Sequence, residues 1–235
     1  MGNIYYQPGH TRGDRVQDLF GAIAPRYDLI NDLQSFGLHR LWKKQVARLA
    51  DVQPGMRTLD VCCGTGDIAY LLARRGALAT GIDFSLPMLR IAQGKGGAGA
   101  PVRWLAGDAQ KLPFEDDTFD AVTVGYGLRN LANWQRGLEA MWRVARGGGR
   151  LVALEFDKPA NHLWRGLYLA YLGACVPLLG RVFCRNAAAY AYILESLKQY
   201  PGAEGVAAHL RSLGARDARV IRLLGGVMTI NVCIK

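Results

Sequence analysis

The stretch VCCGTGDIAYLLARRG, residues 61–76, follows an apolar β-type run, ends in a helical pattern and carries two glycines at the join. Gly64, Gly66 and Ala69 satisfy the loose G-x-G-x-x-(G/A) spacing of a strand that passes through a tight turn into a helix. That spacing alone is weak, because a glycine turn between strand and helix is often only a turn. Its neighbours give it a context. RTLDVC (57–62) reads as the strand before it, which would set Cys62 and Cys63 on opposite faces. LATGID (78–83) reads as a second strand, and SLPMLRIAQ (85–93) as a helix with Pro87 in its first turn. VRWLAG (102–107) and FDAVTVG (119–125) read as two more strands, then NWQRGLEAMWRVA (133–145) as a helix with Asn133 as N-cap. GGGRLVALEF (147–156) reads as a turn and a strand. The end, RDARVIRLLGGVMTINVCIK (216–235), reads as two strands parted at Gly225-Gly226.

Strands and helices in this alternation predict an α/β fold: a Rossmann-like, seven-stranded, mostly parallel sheet with helices on both faces. At 235 residues the chain suits one domain. Residues 1–56 read as N-terminal helices forming a lid, 57–159 as the ligand-binding core, 160–213 as a helical insert on the substrate side and 214–235 as the last strands. QGKGGAGAP (93–101) reads as a loop between units.

Acids flank the glycine turn at Asp60 and Asp67. A dinucleotide would set its pyrophosphate at the helix N-terminus, where amide donors favour anions and a carboxylate at Asp67 would repel it. S-adenosylmethionine (SAM) has no phosphate and carries a sulfonium and an ammonium group. Asp60 suits that cationic end, the backbone at Gly64 and Gly66 permits close approach, and Asp83, ending the next strand, suits the ribose hydroxyls. Asp67 reads equally as a helix N-cap. In GDAQKLPFEDDTFDAV (107–122), Asp108 suits an adenine amine and Ala109 leaves room for the ring, while LPFEDDTFD is mostly a polar turn.

The formal charge is +10, with 29 Lys and Arg scattered and no long basic run. That charge fits an acidic partner, an anionic membrane face or a solvated surface. Five cysteines at no metal or thioredoxin-type spacing fit reduced thiols in a cytoplasmic protein, and no metal is expected. MGNIYYQPGHTRGDR lacks the apolar core of a signal peptide, and MGNIYY lacks the Ser or Thr of a myristoylation site. In LWRGLYLAYLGACVPLLGRVF (163–183), Arg165 and Arg181 bound 15 uncharged residues holding three Gly and a Pro, too few to span a bilayer. The stretch reads as a wall for a lipid tail, a surface leaning on a membrane, or a core helix.

Beyond these local readings, the chain resembles the class I SAM-dependent methyltransferases, and more closely the ubiquinone/menaquinone biosynthesis C-methyltransferase family. APRYDLINDLQSFGLHRLWKK (24–44) is similar to the family's N-terminal signature, with Tyr27, Asp28, Asn31, Ser35, His39 and Trp42 in register. LDVCCGTGD, LPFEDDTFD and GYGLRN are equally family-like. RVARGGGRLVALEFDKP (143–159) resembles the second signature, with Arg146 and Gly147 where Lys and Pro are usual and Asp157 in place of Ser. The resemblance implies methylation of a ring carbon on a prenylated or phytylated quinol. CCGTGD, GYGLRN and GGVM favour a naphthoquinol (demethylmenaquinol or 2-phytyl-1,4-naphthoquinol) over the benzoquinol of the ubiquinone pathway. Residue by residue, it implies SAM contacts at Thr65, Asp83, Asp108 and Ala109, and at Gly125, where many relatives have Ser. It leaves peripheral membrane contact and a homodimer open.

Carbon methylation needs a ring made electron-rich by losing a hydroxyl proton, hence a base and a clamp for the resulting oxygen. Arg129 and Asn130, at a strand's C-terminal end, are the candidates: Arg129 for the phenolate, directly or through water, and Asn130 to orient the ring oxygen. Local capping explains the pair equally well. His39 reads as a structural residue before a base, and Tyr27 and Trp42 as a lid over SAM or as core. A methyltransferase for another small molecule is the main competitor. An RNA-binding module would show basic residues interleaved with aromatics, which are missing, so no nucleic acid is expected.

Overall fold

The computed structural model describes residues 12–96, 101–184 and 188–235; the N-terminal stretch and the centre of the 93–101 loop lie outside them. Seven strands form one sheet: β1 (Arg57–Val61), β2 (Leu78–Asp83), β3 (Val102–Ala106), β4 (Phe119–Gly125), β5 (Ala145–Phe156), β6 (Arg216–Leu223) and β7 (Met228–Ile234). Their order is β3-β2-β1-β4-β5-β7-β6, with β7 antiparallel to both neighbours and the other pairs parallel. The expected α/β sheet is therefore present, and its order reverses between β1 and β4. Ligands bind at such switch points, beyond the carboxyl ends of the strands.

Three helices precede the sheet: α1 (Arg12–Ile23), α2 (Tyr27–Ser35) and α3 (Leu38–Leu49). The crossovers are α4 (Asp67–Ala73), α5 (Leu86–Lys95) and α6 (Trp134–Val144). Pro87 lies in the first turn of α5. Asn133 caps α6, its side chain accepting from Arg136 N at 2.9 Å. Between β5 and β6 run α7 (His162–Cys184), α8 (Ala188–Gln199) and α9 (Gly202–Ser212). Apolar residues fill both faces of the sheet. One core holds Leu19, Ile30, Val46, Leu72, Leu172 and Leu197; the other holds Leu59, Val122, Leu138, Met141, Val206 and Leu210. Inside the insert, α9 packs on β6 and β7, while α7 and α8 pack on each other.

Three readings change. The strand at the turn stops at Val61, and Cys62 takes a left-handed conformation (φ 53°), so the alternation of strand side chains no longer applies to Cys62 and Cys63. β5 starts at Ala145, taking in the three glycines, with a register irregularity opposite Phe119 and Ala121. α7 is 23 residues long and extends past both arginines, so His162–Val182 is long and apolar enough to cross a membrane, contrary to the count made from the uncharged stretch.

Candidate functional site

A cleft of about 310 Å³ opens beyond the carboxyl ends of β1, β2 and β4. Gly64, Asp83, Asp108, Ala109, Gly125, Tyr126 and Asn130 line it. Asp83 ends β2, and its two oxygens accept from Gly64 N (2.8 Å) and Ser85 N (2.9 Å). That clamp fixes the glycine turn to the strand. Burial raises the Asp83 pKa to about 6 against these two bonds. Asp108 accepts from Gln110 N at 2.9 Å, which holds its carboxylate at the edge of the cleft. A methyl group placed on Gly64 would meet nothing within 4 Å, so the backbone there borders open space. One on Gly125 would come 2.7 Å from Ile68 Cδ1, so a larger residue there needs that side-chain end to shift.

The other residues expected at the ligand do not line the cleft itself. Asp60 is buried below the turn, accepting from Thr123 Oγ1 (2.7 Å) and Ala69 N (3.2 Å), and burial raises its pKa to about 7. Thr65 Oγ1 donates to Asp28 at 2.7 Å. Asp60 and Thr65 line a small adjoining cavity that shares Gly64, Gly125, Tyr27 and Tyr126 with the cleft. Gly66 packs against Trp104 and Ala92 and lines neither space.

Asp67 is neither cap nor cleft residue. Gly66 takes the N-cap position, and the Asp67 carboxylate pairs with Lys43 (2.7 Å) and Lys95 (3.0 Å). Burial works to raise its pKa, but the two ammonium groups hold it down at about 2. Asp67 therefore does not repel a pyrophosphate in the way its sequence position suggests. The cleft still does: Asp83 and Asp108 line it, and no Lys or Arg does among the described residues. An uncompensated pair of carboxylates suits a cationic ligand with hydroxyl and amine donors, and 310 Å³ is within the range of small-molecule sites. The donor set fits SAM: Asp83 for a diol, Asp108 for an amine, and bare backbone at Gly64 and Gly125.

A second cavity, of about 290 Å³, lies between α2, α3, α7 and α8. Its lining is aromatic and aliphatic, including Trp42, Phe156, Trp164, Tyr168, Leu172 and Tyr192. Tyr27 and Tyr126 line both this cavity and the cleft, so the two spaces share a wall. Tyr126 has φ 61°, a left-handed conformation that is strained for an aromatic residue.

Arg129 and Asn130 divide between the two spaces: Arg129 lines the apolar cavity and Asn130 the cleft. Arg129 is buried, and its Nη1 lies 2.5 Å from Glu155 Oε1 and 3.0 Å from Tyr126 O. Its Nη2 donates to Tyr192 Oη at 3.0 Å, its backbone N donates to Glu155 Oε2 at 3.2 Å, and the guanidinium lies 4.8 Å from the Phe156 ring centre. Burial opposes the charge, but the Glu155 carboxylate holds the guanidinium above its ordinary pKa, so it stays protonated. Asn130 Nδ2 also donates to Tyr126 O, at 2.9 Å. Neither side chain caps α6, which Asn133 does; both brace the Tyr126 carbonyl. Reasoning from sequence missed Glu155 and Tyr192. The only signal was an acid at the end of an apolar strand, in LVALEF.

His39 is buried in the wall of the apolar cavity. Ser35 Oγ lies 2.5 Å from Asn31 O, which takes its proton, so His39 Nδ1 donates to Ser35 Oγ at 2.9 Å. Burial, and then Lys43, lower its pKa to about 4, which makes it a weak base and supports the structural reading. Trp42 faces the apolar cavity and not the cleft, while Tyr27 faces both. Cys62, Cys63, Cys175 and Cys233 are free thiols. Among the described residues no cluster of three His, Cys, Asp or Glu is placed to hold a metal.

The description "ubiE/COQ5 methyltransferase family" attaches to the family model that matches residues 9–235. A protein of Desulfitobacterium hafniense (strain Y51) named demethylmenaquinone methyltransferase is 39% identical over 230 residues, covering 94% of this chain and 90% of its own. A Streptomyces avermitilis protein of the same name is 40% identical over 216 residues, covering 92% of each chain. Among solved structures, a SAM-dependent methyltransferase from Thermotoga maritima, described as a possible histamine N-methyltransferase, superposes with a TM-score of 0.66. It is 19% identical and covers 93% of this chain and 99% of its own, a likeness of fold.

Proposed function

The chain belongs to the ubiE/COQ5 methyltransferase family, and from that membership we propose that it transfers a methyl group from SAM to a ring carbon of demethylmenaquinol, in menaquinone biosynthesis. The observation that carries the reading is the pairing of a carboxylate-lined cleft with an aromatic cavity across the shared wall of Tyr27 and Tyr126. A polar, cationic ligand suits the first and an apolar ring with a lipid tail suits the second. A 2-phytyl-1,4-naphthoquinol carries the same ring on a different tail. The relatives named for demethylmenaquinone favour the naphthoquinol over a benzoquinol.

SAM supplies an electrophilic methyl group. The chain's own work is to hold and electrically prepare the acceptor. Asp83 holds the ribose, Asp108 the adenine amine, and the backbone at Gly64 and Gly125 allows close approach. Arg129 is the clamp for the ring oxygen: it is permanently charged, so it stabilises the phenolate and does not accept its proton. Glu155 and Tyr192 fix its guanidinium, which lowers the reorganisation needed as charge develops. Asn130, the next residue along and on the cleft side, orients the reacting edge.

The reading includes peripheral contact with a membrane, the source of a tailed substrate. Phe36 (83% exposed) and Leu224 (51% exposed) stand at the rim of the apolar cavity, both in left-handed conformations. Leu163, Leu167, Leu178 and Val182 of α7 are exposed as well, and the net charge of +10 suits anionic headgroups. Tyr168, Leu172 and Val176 of the same helix are buried, tying α7 to the domain and favouring a helix that lies on the bilayer. The test of the function is genetic: quinones extracted from a strain lacking this protein are identified by mass. Accumulated demethylmenaquinone supports the reading; a demethylated benzoquinone, or an unchanged quinone pool, overturns it.

A further inference from the structure

Two tyrosines that line the apolar cavity carry buried hydroxyl groups with no hydrogen-bond partner among the described residues: Tyr126 Oη and Tyr168 Oη. Both residues are at least nine-tenths buried, with 9% and 6% exposure, and both line the cavity. Of the other phenols there, Tyr192 Oη accepts from Arg129 and Tyr171 Oη donates to Gln34 O at 2.9 Å. A buried hydroxyl without a hydrogen bond costs free energy, and phenylalanine at either position would fill the same space without that cost. Tyr126 carries a second cost, its left-handed backbone. Tyr126 also borders the cleft, whereas Tyr168 lines only the apolar cavity.

We infer that Tyr126 and Tyr168 form the subsite for the ring oxygens of the acceptor, one hydroxyl to each oxygen of a para-dihydroxy aromatic ring. The inference rests on the proposed quinol methylation and adds the residues that recognise the ring. A quinol has two oxygens on opposite edges, each able to donate and accept, which matches two neutral hydroxyls that do both. Burial holds both phenols above their ordinary pKa, so they remain protonated partners and do not act as the base. With Tyr126 on one oxygen the ring edge lies against the shared wall, and Arg129, bonded to the Tyr126 carbonyl, stands beside it. The tail is left to the aliphatic part of the cavity.

Tyr126→Phe, Tyr168→Phe and the double variant test this. Each removes one oxygen atom and no packing. The free protein is expected to melt at the same temperature or higher, because an unpaired buried hydroxyl is lost. The dissociation constant of a short-tailed naphthoquinol, kept reduced under anaerobic conditions and measured by fluorescence quenching with S-adenosylhomocysteine present, should rise about 3- to 10-fold per hydroxyl. The two factors should multiply in the double variant. SAM affinity, by calorimetry, should change much less. The same ratios are expected for a naphthoquinol with no tail, because the lost contacts are to the ring. A lower melting temperature with unchanged quinol affinity overturns the subsite and assigns the hydroxyls to structural water. Ratios that vanish without the tail overturn it in favour of tail contacts. If the parent protein neither binds nor methylates a naphthoquinol, the proposed function itself fails; if it does both and the variants match it, only the subsite fails.

Discussion

Replacing Gly66 with alanine drives a methyl group into Trp104 Cη2 and to 3.1 Å from Ala92 Cβ, at a backbone φ of 84°. The left-handed conformation costs a non-glycine residue roughly 1–2 kcal/mol. Overpacking against the half-buried indole of edge strand β3 adds about 1–3 kcal/mol. The sum, about 2–5 kcal/mol, is a large share of the ~5–15 kcal/mol that stabilises a typical domain. At roughly 2–4 °C per kcal/mol for a chain of this size, the melting temperature should fall by about 4–20 °C. Gly64→Ala is the control. It has φ 53° but nothing within 4 Å of the new methyl, so only the conformational cost applies and the fall in melting temperature is smaller. That methyl enters the cleft, however, and intrusion of ~1–3 kcal/mol lowers SAM affinity by roughly 5- to 150-fold. Thermal melting of the free proteins and calorimetric SAM titration separate the two. A Gly66→Ala protein that melts within a degree of the parent but binds SAM poorly would refute the assignment and put Gly66 at the ligand.

Breaking the buried Arg129–Glu155 pair by Glu155→Gln should cost about 3–5 kcal/mol, measured by denaturant unfolding, because an uncompensated cation is left behind. Adding Arg129→Met should recover most of that stability while turnover stays low; a double variant with parental turnover would remove Arg129 from the reaction. SAM affinity should fall as pH drops through about 6, where the raised pKa of Asp83 lets the folded protein protonate the carboxylate that the ribose needs. Calorimetry from pH 8 to 5 should show that fall in the parent and a weaker, flatter profile in Asp83→Asn; a flat parental profile contradicts the contact. Replacing Phe36 and Leu224 by asparagine suits their left-handed backbones, so stability is kept, yet binding to phosphatidylglycerol vesicles should drop at least about tenfold. Co-sedimentation unchanged by both substitutions would rule out the rim as the membrane contact.

The fold was legible because its signals are local. Glycine turns, Pro87 and Asn133 mark element ends within a few residues, and the alternation of apolar runs sets the sheet. The cleft was legible where acids end or closely follow strands, at Asp83 and Asp108. What sequence could not show was pairing at a distance. Asp67 stands next to the glycine turn, yet its partners Lys43 and Lys95 lie 24 and 28 residues away, and they decide where its carboxylate points. Arg129 is held by Glu155 and Tyr192, 26 and 63 residues along the chain. Cys62 and Tyr126 bend into left-handed conformations that no residue preference announces, since both follow strands and neither is Gly or Asn. The count of 15 uncharged residues fell short of a membrane span because it stopped at Arg165 and Arg181, whereas α7 continues past both.

The central claim, transfer of a methyl group to a reduced ring, has a direct measurement. An oxidised quinone ring is electron-poor and does not react with an electrophilic methyl group, while a quinol that loses a hydroxyl proton does. Purified protein is mixed with SAM and demethylmenaquinone, with and without a chemical reductant, and the products are read by mass. The account predicts no methylated product under oxidising conditions and menaquinol formation once the ring is reduced, with a rate that rises with pH as the hydroxyl ionises. Equal rates in both conditions, or none in either, would contradict it.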